Sequence, residues 1–140
     1  MTRIQEELKR ITEENDGILL PEKVVEEARG EDSPLHSCFN WDNDEAGERW
    51  RLHQARNLIR CTIIYEEQTD RHIKTFVSLT SDRENGGGYR EVITVLKNKD
   101  HKAEMLADAL TELQTFQNKY NSIVELSGVF DAIRQLETIV

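Results

Sequence analysis

Apolar residues recur with a helical period at the start of the chain. Ile4, Leu8 and Ile11 fall on one stripe of residues 3–15. Thr2 stands three residues before Gln5, the spacing at which a capping box closes a helix N-terminus. The tripeptide "NDG" at 15–17 stops the pattern, with Gly17 suited to a left-handed cap. A second stripe, Val24, Val25 and Ala28, lies in "PEKVVEEARG". Pro21 fits a first helical turn because its missing N–H would be unpaired there, and Gly30 ends the helix. Residues 30–42 form a connector whose middle is apolar (Leu35, Cys38, Phe39, Trp41), so it is expected to pack down on the domain. A third helix is predicted over 43–60, capped by Asp42 or Asn43. Asp44, Glu45 and Glu48 occupy its first turns, near the positive end of the helix dipole.

The period then shortens. "CTIIYEE", "HIKTFVSLT" and "YREVITVLK" are rich in β-branched and aromatic residues and read as three strands. "QTDR" is short enough for a hairpin, and "SDRENGGG" reads as a flexible tip. The pattern therefore predicts a three-stranded antiparallel meander over 61–98. From Asp100 the helical period returns through Leu106, Leu110, Leu113, Phe116, Tyr120, Ile123, Val124, Phe130 and Ile133, with Gly128 able to kink or split the run. Roughly 28 residues of unbroken helix would span about 42 Å, more than a compact domain of this size needs. The stripe over 105–136 therefore serves either a homo-oligomer, dimer or higher, or the chain's own sheet. Gln117 and Ser127 interrupt any regular coiled-coil seam.

The expected class is α+β in a single domain. A helical part (1–60) precedes the sheet (61–98), and a long C-terminal helix or helix pair follows (99–140).

Composition narrows this picture. With 37% hydrophobic and 32% charged residues, and a mean hydropathy of -0.65, the chain is polar yet patterned, which points to much solvated helix surface. No apolar run approaches the roughly 18 residues of a membrane helix, and the N-terminus carries no signal-peptide core, so no membrane partner and a cytoplasmic location are expected. Cys38 and Cys61 make no disulfide framework. A net charge of -9 opposes indiscriminate coating of nucleic acid or anionic membrane. It leaves room for a local basic face.

Such a face is written into the third helix. At about 100° per residue, Arg49, His53, Arg56 and Arg60 share one narrow sector, with Trp50 and Asn57 along its edge. Leu52, Ala55, Leu58 and Ile59 form the opposite, core-facing side. Arg51 falls beside the apolar side and is assigned a structural role, snorkelling or pairing with an acid. No carboxylate follows Glu48 in the helix. Arginine forks hold phosphate, and Asn and Arg read base edges, so Arg49, Trp50, His53, Arg56, Asn57 and Arg60 form a candidate nucleic-acid-binding set. The order helix, connector, helix, hairpin resembles part of a winged helix-turn-helix. It departs from that pattern in its connector of about 13 residues, where a helix-turn-helix has three or four. The competing reading sets the arginines against some of the 27 acidic residues or against a protein partner.

Other chemistry is weaker. His36, Cys38, Asp42 and Asp44 cluster within nine residues, but the spacing matches no common zinc arrangement and helix capping accounts for the aspartates. Cys38 with His53 or His72 would make a nucleophile–base pair, but no local motif supports it. "ENGGGYR" precedes a predicted strand, whereas a phosphate loop precedes a helix and carries a Lys-Ser/Thr pair. No catalytic residues, metal or cofactor are assigned, and no enzyme is expected.

The stretch "SPLHSCFNWDNDEAGERWRLHQARNLIR" (33–60) resembles a pattern in small, uncharacterised proteins encoded by bacteriophages and prophages. The residues that carry the likeness are Ser33, Pro34, Leu35, His36, Phe39, Trp41, Asp42, Ala46, Arg51, Gln54, Ala55, Arg56, Leu58, Ile59 and Arg60. The resemblance implies a viral origin and a bacterial host cytoplasm. It favours DNA binding, the organising of replication or recombination, or inhibition of a host protein. Two functions follow: a non-enzymatic accessory protein that binds nucleic acid through the arginine helix, or an acidic inhibitor or scaffold. The second would dock on a basic host protein through Glu6, Glu7, Glu13, Glu14 and Asp16.

Overall fold

The computed structural model describes residues 2–41 and 45–140. The caps expected at Asp42 and Asn43, and Asp44 in the first turn, lie outside the described residues. The class is α+β. Two compact units divide the chain, Met1–Thr94 and Val95–Val140.

Helix α1 (Arg3–Glu14) opens with a closed capping box: the Gln5 N–H donates to Thr2 Oγ1 at 3.2 Å and the Thr2 N–H to Gln5 Oε1 at 2.7 Å. The chain leaves it through two left-handed residues, Asp16 and Gly17, and the Gly17 N–H donates to Thr12 O at 2.9 Å. Helix α2 (Pro21–Ala28) buries Val24, Val25 and Ala28, and α3 (Glu45–Cys61) buries Ala55 and Ile59. Leu8 and Ile11 of α1 join them in one core, which Leu35 and Phe39 of the connector complete. The apolar middle of that connector is thus packed down, partly through a single 3-10 turn at His36–Cys38.

The sheet differs from the expected meander. Strand β1 (Ile63–Glu66) pairs antiparallel with β2 (Arg71–Lys74), Ile64 opposite Ile73. Strand β3 (Phe76–Val77) pairs with β4 (Arg90–Glu91) in a separate two-stranded sheet, Phe76 opposite Glu91. Thr75 divides the predicted second strand: its N–H donates to Thr62 O at 3.1 Å while its own carbonyl accepts from the Val92 N–H at 2.8 Å. The backbone therefore changes partners at this residue, and one strand becomes two.

The predicted third strand is mostly helix α5 (Val92–Lys97). Val92 and Val95, three apart, are buried, whereas Ile93 and Leu96 are exposed; that period is helical despite the β-branched composition. The segment read as a flexible tip begins with a short helix, α4 (Thr80–Glu84). With at least the 13 residues 29–41 between α2 and α3 and a two-stranded hairpin after α3, the winged helix-turn-helix likeness stops at the order of elements.

In the second unit, α6 (Lys99–Tyr120) and α7 (Ser127–Glu137) are joined through a 3-10 turn at Val124–Leu126, so the C-terminal segment is a helix pair. Phe116 packs on Phe130 with ring centroids 6.5 Å apart, and Gln114 Nε2 donates to Glu137 Oε1 at 3.3 Å. None of the 22 residues of α6 is buried.

Candidate nucleic-acid interface

Helix α3 sorts its four arginines by side. Arg51, on the core side, is only 3% exposed, and its guanidinium is fully occupied with structure. It donates to Glu48 Oε2 at 2.8 Å and to Asn40 O at 3.1 Å, and it lies over the Trp41 ring at 5.4 Å. Arg29, at the C-terminal cap of α2, reaches the same Glu48 oxygen at 2.6 Å. The two guanidinium groups, Arg51 foremost, hold the Glu48 carboxyl below the usual carboxylate range. This cluster ties α2, the connector and α3 together, and Arg51 is structural, as its place on the helix implies.

The opposite side is laid out differently. Arg49, His53, Arg56, Asn57 and Arg60 are all exposed, and Trp50 is 51% exposed. Side chains run along this face as a ladder. The Trp50 and His53 rings stand 5.3 Å apart, Asn57 Nδ2 lies 3.2 Å from His53 Nε2, and Arg60 Nη2 donates to Asn57 Oδ1 at 2.6 Å. The amide thus orients the Arg60 fork, whose Nε also donates to Arg56 O at 3.3 Å.

Among the described residues no carboxylate forms an ion pair with Arg49, Arg56 or Arg60, although Arg10, Arg29, Arg51, Arg90 and Arg134 each have one. Of the eleven arginines, five have carboxylate partners among the described residues, and three of the six without one share this helix face, where an external anion could meet them.

A cavity of about 240 Å³ adjoins the face. Pro21, Glu22, Arg56, Ser78, Arg83, Gly86, Gly87, Gly88 and Tyr89 line it. Arg83 is missing from the sequence-derived set because it lies in the segment read as a loop tip, 27 positions from Arg56; its proximity to a glycine run was the one available signal. That run is not a loose tip. Its base is stapled by a bidentate pair, Arg90 Nε and Nη2 to the two Asp82 oxygens at 2.6 and 2.8 Å, and by mutual Leu19–Tyr89 backbone hydrogen bonds of 2.7 and 2.9 Å.

The remaining sequence candidates have other occupations. His36 Nδ1 lies 2.8 Å from Ala28 O, its ring stacks on Trp41 at 4.9 Å, and the Trp41 N–H donates to His36 O at 2.9 Å. Burial pushes the Cys38 thiol up, the wrong direction for a nucleophile. Among the described residues no His, Cys, Asp and Glu side chains gather in a group able to hold a metal ion.

No family model matches the chain, and neither a curated protein nor a solved structure matches it.

Proposed function

We propose that this chain is a non-enzymatic accessory protein, of the kind phages and prophages encode, that binds nucleic acid through α3. The reading is carried by one observation: Arg49, Arg56 and Arg60 stand exposed on one face of a chain with net charge -9, and none of them has a carboxylate partner among the described residues. Arg49, Arg56 and Arg60 contact phosphates; His53 and Asn57 contact bases or sugar; Trp50 packs at the rim. The elements follow the order of a winged helix-turn-helix, but the reading needs only the exposed face. Residues 105–136 pair two or more such faces in a homo-oligomer. No helix among the described residues is long and apolar enough to cross a membrane, in keeping with a role in the bacterial host cytoplasm.

The acidic-inhibitor reading draws less support. Of its five residues, Glu7 and Glu14 are engaged by Arg10, which also reaches Glu27 at 2.9 Å, so part of that surface is already neutralised.

Fluorescence anisotropy of labelled double- and single-stranded DNA, at two salt concentrations, tests the proposal. Three arginine–phosphate contacts on duplex predict a log–log salt slope of about -2.7. Arg56→Glu/Arg60→Glu is expected to abolish binding without unfolding the chain, since both side chains are exposed. Absence of wild-type binding at low salt would sink the reading and direct attention to a host or phage protein.

A further inference from the structure

The cavity beside α3 is built from groups that have donors to spare. Arg56 forms no ion pair among the described residues. Arg83 does not either, but its guanidinium is aimed: Nη1 donates to Ser78 O and Nη2 to Thr80 Oγ1, each at 2.7 Å. Two hydrogen bonds fix that fork and leave its other N–H groups for a ligand.

The glycine run adds backbone donors. Gly86, Gly87 and Gly88 all have positive φ (98°, 81° and 111°). Only the Gly87 N–H is spent internally, on Asp82 O at 2.7 Å; those of Gly86 and Gly88 have no acceptor among the described residues. The two free N–H groups that flank Gly87 are unspent donors of the kind that backbone turns offer to anions. Tyr89 also lines the cavity.

Size and charge then select the ligand. About 240 Å³ is below the roughly 300–1,000 Å³ of a site for a drug-sized molecule and suits one small group. Two arginines and Glu22 leave a formal charge of one positive, matching the single negative charge of a phosphodiester better than a triphosphate.

We propose that this cavity is a subsite for one phosphate group, supplied by a nucleic-acid backbone that continues from the arginine face through Arg56. The assignment of the source rests on the nucleic-acid reading; the subsite itself rests on the Arg83 fork and the glycine N–H groups. Glu22 tunes it, opposing a second negative charge.

Backbone amide NMR on the full chain separates the two. A short single-stranded DNA without terminal phosphates is titrated in one arm and inorganic phosphate in the other. Shifts at Gly86, Gly87 and Gly88 are expected in both arms. Arg83→Gln should weaken DNA binding roughly tenfold, the effect of losing one charge-assisted contact, and Glu22→Gln should tighten it. Both side chains are exposed, so the variants are expected to fold.

If DNA shifts α3 but leaves the glycines unmoved, and Arg83→Gln binds like wild type, the subsite is overturned while the nucleic-acid reading stands. If phosphate shifts the glycines, Arg83→Gln abolishes that effect and DNA moves neither the glycines nor α3, the subsite stands with free phosphate as its source, and the nucleic-acid reading falls. Silence in both arms overturns both.

Discussion

Gly88 and Gly128 show how differently one residue type can be constrained. A Cβ on Gly88 would meet Ile18 Cγ2 at 2.4 Å and Leu20 Cδ2 at 3.1 Å, at a φ of +111° that L side chains rarely adopt. Gly128 lies in α7 with open space around it and no positive φ. Gly88→Ala is therefore expected to destabilise the first unit by about 2–3 kcal/mol, from backbone strain and overpacking together. Gly128→Ala should stabilise α7 by about 0.5–1 kcal/mol through helix propensity and lower unfolded-state entropy. Urea unfolding of both variants checks the signs; a tolerated Gly88→Ala would mean the loop is not held against Ile18 and Leu20.

At the scale of elements, the helices of the first unit are joined by ionic clusters that leave an acid signature. Glu48, held low by Arg51 and then Arg29, links α2 to α3; Glu7, held low by Arg10, sits in a cluster linking α1 to α2 through Glu27. A carboxyl whose folded pKa is depressed contributes stability above its ordinary value of 4.5, and that contribution is lost as pH falls through the lower folded value. Glu48→Gln is expected to lower the melting temperature at neutral pH and to shrink the further loss seen on acidification below pH 4.5. Thermal melts of wild type and variant across that range decide it: an unchanged acid limb would show that the cluster carries no pH dependence. The buried Arg51 guanidinium would lose its charged partner while keeping its hydrogen bond to Asn40 O and its place over Trp41, which is why the neutral-pH loss is expected.

For the whole molecule, the open question is what the second unit does with its apolar surface. Leu106, Phe116, Ile123, Val124, Val129 and Ile139 are all exposed, more than the interior of a lone helix pair explains. If residues 105–136 assemble copies of the chain, sedimentation velocity should show a concentration-dependent dimer or larger species. Leu106→Glu/Val124→Glu should return it to monomer with helical content unchanged. A wild-type protein that stays monomeric throughout would assign the stripe to the chain itself. Oligomerisation would also multiply arginine faces, so DNA affinity should fall in the same variant more than its two added charges explain.

The sequence alone determined the features whose physics is local. The capping box of α1, the proline start of α2, the burial of the connector and the angular sorting of α3 all follow from spacing along one segment. A helix converts spacing into direction at a fixed angle. The exposed arginine face is legible for that reason, and so is the structural role of Arg51. Tertiary structure decided what depends on partners distant in sequence. The segment 89–97 has β-branched composition, but burial of Val92 and Val95 makes most of it helical. Thr75 splits a strand because its N–H bonds Thr62 while its carbonyl bonds Val92, so the backbone passes from one partner to the other. The glycine run is fixed from outside itself, by Asp82–Arg90 and by Leu19, which also brings Arg83 to the same cavity as Arg56. Strand pairing and loop anchoring are settled by which remote groups meet, and no local pattern encodes that meeting.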